Sequence, residues 1–187
     1  FSGAGGMSYG FYCHPSFNLI AAIDAELAKP SANSQSSNCN ETYYLNLKIK
    51  PRKEFLNCKK ILEIGAELSN NKNFNGVLLA CPPCTDFTRA KPENHNIDGS
   101  RNELTSAIAK LIFKIRPKYF LYENAREAFQ GNYTQHLDSI LHVLEGTGYS
   151  YNVEIFNLND FGLPQNRERV ILIASRDKKA RSLRDLW

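Results

Sequence analysis

The chain is 187 residues long with 42% hydrophobic and 22% charged content, enough apolar material for one ordinary globular core and little beyond it. Its 23 Lys and Arg against 19 Asp and Glu give a net charge of +4, which suits an acidic partner such as nucleic acid without requiring one. No signal peptide and no run of about 18 apolar residues occurs, and five cysteines without regular spacing argue against a disulfide framework. A soluble protein of a reducing compartment, with no membrane partner, is expected.

The chain opens on Phe1-Ser-Gly-Ala-Gly-Gly, the form of a strand-to-helix turn, so a strand is expected upstream of Phe1. Gly3 and Gly5 stand where a backbone turns tightly and lets a ligand approach. Ser8 occupies the third-glycine position of the dinucleotide fingerprint, which counts against NAD. Asn18 to Ile23 is a short apolar run ending in Asp24, as in a buried parallel strand with a carboxylate at its edge. Asp24 lies 19 positions after Gly5, the spacing at which an acid accepts from ribose hydroxyls. A nucleoside-bearing cofactor fits; a plain Gly-rich turn with a capping Asp is the alternative.

Lys29 to Asn46, rich in Ser and Asn, reads as a long loop or insertion. Phe55, Cys58, Leu62, Gly65 and Leu68, with Ile61 and Ile64, recur at helical spacing, and Val77 to Ala80 follows as a buried strand. Cys81-Pro-Pro-Cys84 comes directly after it, where a thiol at the sheet's edge can act as a nucleophile. A redox pair or half a zinc site is the alternative. No second Cys-x-x-Cys exists, however, and His14, His95, His136 and His142 complete no standard zinc spacing, so no metal is expected.

Ser100-x-x-Glu103 is a capping-box pattern, with Leu104, Ile108, Leu111, Ile112 and Ile115 on one helical face until Arg116-Pro117. Tyr119 to Tyr122 is the next expected strand, and Glu123-Asn124 comes immediately after it. A partly desolvated carboxyl there can share a proton with a ring nitrogen, or simply start a helix. Leu137, Ile140, Leu141 and Leu144 mark a helix ending at Gly146, followed by strands from Tyr149 to Phe156 and from Val170 to Ala174. Gln165-Asn-Arg167-Glu-Arg169 precedes the last strand. Alternation sets Arg167 and Arg169 on one face, suited to oxygen or phosphate recognition; as a lone charge run they would be solvated surface. Strands alternating with helices predict an α/β fold with a doubly wound, mostly parallel sheet and ligands at the carboxyl ends of its strands. Asp177 to Trp187 turns from charged to apolar, as a segment entering further structure does.

Taken in order, Phe1-Ser-Gly-Ala-Gly-Gly, Pro82-Pro-Cys84-Thr-Asp-Phe-Thr-Arg-Ala90, Glu123-Asn-Ala125 and Gln165-Asn-Arg-Glu-Arg169 resemble the cytosine-C5 DNA methyltransferase family. Asp98-Gly-Ser-Arg101 and Leu158-Asn-Asp-Phe-Gly-Leu-Pro164 are similar to its connecting segments, so the likeness spans nearly the whole chain. Thr85 stands where Gln is common and Ala125 where Val is common. The resemblance implies a methyltransferase-type, Rossmann-like fold using S-adenosylmethionine, with S-adenosylhomocysteine as product. It implies that Cys84 attacks C6 of cytosine so that C5 takes the methyl group. Glu123 would hold the N3 edge, and Arg167 and Arg169 the O2 side. Pro83 would shape the pocket and Gln165 would contact the substrate. Arg89 and Lys91, in a loop from Thr85 to Ser100, would touch phosphate as the target base is flipped out of double-stranded DNA.

On the same resemblance, Phe1, Gly3, Ala4 and Gly5 would line the methionine and ribose part of the cofactor. Asp24 would take the ribose hydroxyls, Ala25 the adenine face and Leu104 the far wall. Asn57 stands in for the family's acid beside the adenine. Residues 1–187 then form one partial catalytic domain, with target recognition in a segment or second subunit outside them. The setting would be cytoplasmic in a bacterium, in restriction–modification, and nuclear in a eukaryote. Methylation of cytosine in transfer RNA, a non-catalytic methyltransferase subunit and a Cys81–Cys84 redox protein are the rival readings.

Overall fold

The structure of the protein, a computed structural model, describes residues 1–28, 33–69, 74–83, 103–129 and 134–185. It divides into two units, Phe1–Leu56 and Asn57–Trp187.

In the first unit, α1 (Gly6–Tyr12) is followed by β1 (Ile23–Asp24), α2 (Cys39–Leu47) and β2 (Arg52–Lys53). β1 and β2 pair in parallel, Ile23 with Arg52 and Asp24 with Lys53. The strand expected over Asn18 to Ile23 is therefore shorter and displaced toward Asp24. Apolar composition alone does not make a strand, and residues 18–21 find no ladder partner among the described residues. The loop expected over Lys29 to Asn46 is corrected as well, because α2 begins at Cys39. Its buried residues are one i, i+4 pair, Tyr43 and Leu47, which pack with Ala22 into a small core flanked by Leu19 and Ile49, while Tyr44 and Leu45 stay exposed. Asn40, Glu41, Thr42 and Asn46 surround that pair and hide the period. Gly5 precedes α1 at φ 97°. A Cβ there would lie 2.7 Å from Leu47 Cδ1, so both the backbone angle and the packing demand glycine.

The second unit runs α3 (Cys58–Ser69), β3 (Val77–Ala80), α4 (Glu103–Ile115), β4 (Tyr119–Ala125), α5 (Thr134–Gly146), β5 (Ser150–Asn157) and β6 (Glu168–Ser175). The sheet order is β3-β4-β6-β5. β3 and β4 are parallel, while β6 is antiparallel to both β4 and β5. Three of the four strands thus point one way and β6 is reversed, so the expected mostly parallel α/β sheet is present with one inverted strand. Alternation buries Phe120, Tyr122, Val170, Leu172 and Ala174 on one face of the sheet, and Ile112, Ile140 and Leu144 belong to the same buried set. α3 packs on α4 and α4 on α5. Gly65 permits the first of these approaches, since a Cβ there would lie 3.1 Å from both Ile115 Cγ2 and Leu111 Cδ1.

Element ends follow from local chemistry. α3 starts three residues later than Phe55, because Asn57 caps it: its Oδ1 accepts the Lys60 N–H at 2.9 Å and its main-chain carbonyl the Ile61 N–H at 3.0 Å. Ser100 of the expected capping box lies outside the described residues. α4 stops where Arg116 turns to φ 48° ahead of Pro117. β4 is longer than the expected Tyr119 to Tyr122, because β6 runs along its whole length and pairs Glu123 with Ile171, Asn124 with Val170 and Ala125 with Arg169. Among the described residues no helix is long and apolar enough to cross a membrane.

Candidate active site

Two groups of expected site residues are brought together, one in each unit. In the first unit the turn from Ser2 to Gly5 is tied to the end of β1. Ser2 N–H donates to the Ile23 carbonyl at 3.1 Å, and Gly3 N–H donates to Asp24 Oδ2 at 2.8 Å. Asp24 Oδ1 accepts the Glu26 N–H at 2.7 Å and the Cys39 thiol at 3.5 Å. Glu26, at φ 59°, binds the Asn40 N–H at 3.1 Å and Lys53 Nζ at 2.9 Å. The hydrogen bond from Lys53 holds the Glu26 carboxyl below its ordinary range. Burial, helped by Asp24 and Glu26, pushes the Cys39 thiol up. Asp24 therefore closes the glycine turn as well as standing at the strand edge. Ala25 is half-buried beside it, Phe1 is half-buried and Ala4 is exposed.

The donor set suits a nucleoside-bearing cofactor. Ser2 Oγ is buried with no hydrogen-bond partner among the described residues, and a Cβ on Gly3, at φ 53°, would meet nothing within 4 Å. An orphaned hydroxyl and an open backbone approach thus sit next to a carboxylate that has lone pairs to spare. In the second unit, Asn57 spends its amide oxygen on the α3 cap and Leu104 is buried at 7% exposure.

The second group gathers where β3 and β4 end and reversed β6 begins. Ala80 pairs with Tyr122, so Cys81 continues alongside Glu123 and Pro82 alongside Asn124. Pro82 has no N–H and the ladder stops. The Asn124 side chain takes over: its Nδ2 donates to the Pro82 carbonyl at 3.4 Å and to Tyr122 Oη at 2.8 Å, while its Oδ1 accepts the Ala125 N–H at 2.8 Å. Asn124 is only 2% exposed, and this polar pairing makes its burial tolerable. Pro83 is half-buried at the end of the segment, and Cys84, Arg89 and Lys91 lie outside the described residues.

Glu123 projects from the other face of β4, and Arg169 reaches it on the cross-strand diagonal. Arg169 Nε is 2.8 Å from Glu123 Oε1, and its Nη1 donates to the Glu168 carbonyl at 2.7 Å. Beside them Arg126 Nη1 pairs with Glu168 Oε2 at 2.7 Å. Cys81 hydrogen-bonds Glu123, and burial followed by the Glu123 charge pushes the Cys81 thiol up to about 12. Arg169 lies inside β6, one correction to the expected boundary at Val170. Arg167 precedes the strand with its side chain exposed, and its main chain is pinned: its N–H donates to Asn157 Oδ1 at 3.1 Å and its carbonyl accepts from Leu158 at 2.9 Å. Asn157 also takes the Asn159 N–H at 3.2 Å and donates to Asn166 Oδ1 at 2.7 Å, which closes the loop carrying exposed Gln165. Asn157, Arg126 and the Cys81–Glu123 contact were missed from sequence. Asn157 ends β5, while Arg126 and Cys81 stand just past the ends of β4 and β3, and the register that brings such positions together is set by distant partners.

Residues 1–185 match the family model described as C-5 cytosine-specific DNA methylase. Among curated relatives, the Type II methyltransferase M.XorII of Xanthomonas oryzae is 28% identical over 94% of this chain and 39% of its own. M.FnuDI of Fusobacterium nucleatum is 30% identical over 94% of this chain and 45% of its own. The chain thus spans less than half the length of these relatives. Among solved structures, the Dnmt2 methyltransferase of S. pombe superposes with a TM-score of 0.65 at 23% identity, over 100% of this chain and 51% of that one. The methyltransferase EhMeth of Entamoeba histolytica gives 0.65 at 19% identity, over 95% and 52%. These likenesses carry the fold.

Proposed function

Because the chain belongs to the C-5 cytosine-specific DNA methylase family, we propose that it supplies the catalytic centre that methylates C5 of cytosine in double-stranded DNA. The observation that carries this reading is the Glu123–Arg169 pair at the carboxyl end of β4 beside the Cys81 to Pro83 segment. An acid held by an arginine there suits a pyrimidine ring better than it suits a redox centre. S-adenosylmethionine, when bound, supplies an electrophilic methyl group and leaves as S-adenosylhomocysteine. Phe1, Gly3, Ala4 and Gly5 would hold its methionine and ribose, Asp24 the ribose hydroxyls and Ala25 the adenine.

The chain's own chemistry is nucleophilic and acid–base. Cys84, as thiolate, adds to C6 of the cytosine, and the electron pair of the C5–C6 bond becomes available at C5. Glu123 holds the N3 and amine edge and donates there, so the ring can accept the charge. Arg169 fixes that carboxyl, and Arg167 faces the O2 side. After C5 takes the methyl group, loss of its proton and expulsion of the Cys84 thiolate restore the aromatic ring. C6 is out of reach inside a duplex, so the base must be flipped, with Pro83 and Gln165 lining its path and Arg89 and Lys91 on phosphate. Target recognition is assigned outside 1–187, and the Type II relatives favour a restriction–modification setting.

The test uses the full-length natural protein with labelled S-adenosylmethionine and duplex DNA containing 5-fluorocytosine, which has no C5 proton to lose. A denaturation-resistant protein–DNA adduct that disappears in Cys84→Ser is the expected outcome. An adduct on fluorinated RNA alone moves the substrate to RNA. No adduct on either, with cofactor still bound, ends the claim of catalysis.

A further inference from the structure

We propose that Cys81 is a positioning residue for the candidate acid Glu123: its thiol donates a hydrogen bond to the carboxylate and, with Arg169, holds it in one orientation. This rests on the assignment of Glu123 made above. The geometry comes from three strands. The parallel register of β3 with β4, Ala80 on Tyr122, sets Cys81 next to Glu123, and the bond from Asn124 Nδ2 to the Pro82 carbonyl at 3.4 Å keeps the segment there after the ladder ends. From the other side, reversed β6 brings Arg169 Nε to 2.8 Å from Glu123 Oε1. A carboxylate gripped from one side by a guanidinium still pivots about its bond to that group. A second donor from a different strand removes the pivot.

The thiol keeps its proton for this task. Burial and the neighbouring Glu123 charge push it up to about 12, so it is a donor across the whole working range of an enzyme and no competing nucleophile. On the proposed roles the Cys-x-x-Cys pair divides its labour, with Cys81 on the acid and Cys84 on the base.

The experiment is a double-mutant cycle in the full-length protein: Cys81→Ala, Cys81→Ser, Glu123→Gln and Cys81→Ala with Glu123→Gln. It follows methyl transfer and, without cofactor, tritium release from C5 of cytosine in duplex DNA. Removal of one hydrogen bond to a charged group should lower kcat about tenfold in Cys81→Ala, with KM for DNA and cofactor within about twofold. Cys81→Ser, which keeps a donor, should recover most of the rate. In the Glu123→Gln background Cys81→Ala should add nothing further, in either assay. An unchanged kcat in Cys81→Ala, no recovery in Cys81→Ser, or a full additional loss on top of Glu123→Gln would each overturn the proposal. Wild-type rates in Glu123→Gln would instead remove the premise, the assignment of the acid itself.

Discussion

Asp24 serves two masters, holding the Gly3 N–H at 2.8 Å through one oxygen and the Glu26 N–H at 2.7 Å through the other. Asp24→Asn keeps the size but turns one acceptor into a donor that faces a backbone N–H. Cofactor affinity, measured by titration calorimetry, should fall about tenfold or more, through loss of a charge-assisted bond and loosening of the glycine turn. An unchanged affinity would place the ribose elsewhere. The residue was legible because its distance from Gly5 is a chemical spacing along one βαβ step. Glu123 was legible for a similar reason, being near the end of an apolar run. Cys81 as a partner of Glu123 was not, since that contact depends on the register between two strands, and residues 81 and 123 carry no local mark of each other.

Among elements, the Gly-rich turn and α2 stand or fall together. Gly5→Ala must strain a residue at φ 97° and drive a methyl to 2.7 Å from Leu47 Cδ1. Chemical denaturation should show a loss of about 1–3 kcal/mol, and a loss below that range would mean that α2 yields easily. The strongly periodic helices α3, α4 and α5 were readable because each sets buried apolar residues at helical spacing, and strand β3 because its apolar run is unbroken. α2 was not, with one buried pair in a polar sequence, nor was the true length of β4. Glu123, Asn124 and Ala125 have no strand-like pattern of their own and are strand because β6 pairs with them. Asn57 shows a role that the sequence reading did not assign: a polar residue before an apolar helix is first of all a cap, and its oxygen accepts the Lys60 N–H.

For the whole molecule, the buried thiol makes stability depend on pH on the alkaline side. Cys81 ionises near 9.0 in an unconstrained chain and at about 12 in the fold. Between those values the unfolded chain has released the proton and the folded one has not, so rising pH favours unfolding; below about 9 the contribution is constant. Urea unfolding at pH 8 and pH 10 should show a loss that is smaller by about 1 kcal/mol in Cys81→Ser than in the wild type. Equal losses would mean that the thiol is hydrated in the folded state. The fold class was legible from the alternation of elements. The inverted strand was not, since direction in a sheet depends on how a connection travels and not on the residues inside the strand.

The order β3-β4-β6-β5 also has a consequence for how the protein is made. β5 emerges from the ribosome before β6 and cannot join the sheet, because the place beside β4 belongs to a strand not yet synthesised. Until residue 175 is free, β4 and β5 each keep an open edge, a state prone to pairing with other nascent chains. The acid on β4 likewise waits for Arg169. A chain still on the ribosome carries Glu123 but not its guanidinium partner, so the Glu123–Arg169 pair forms only once β6 is in place.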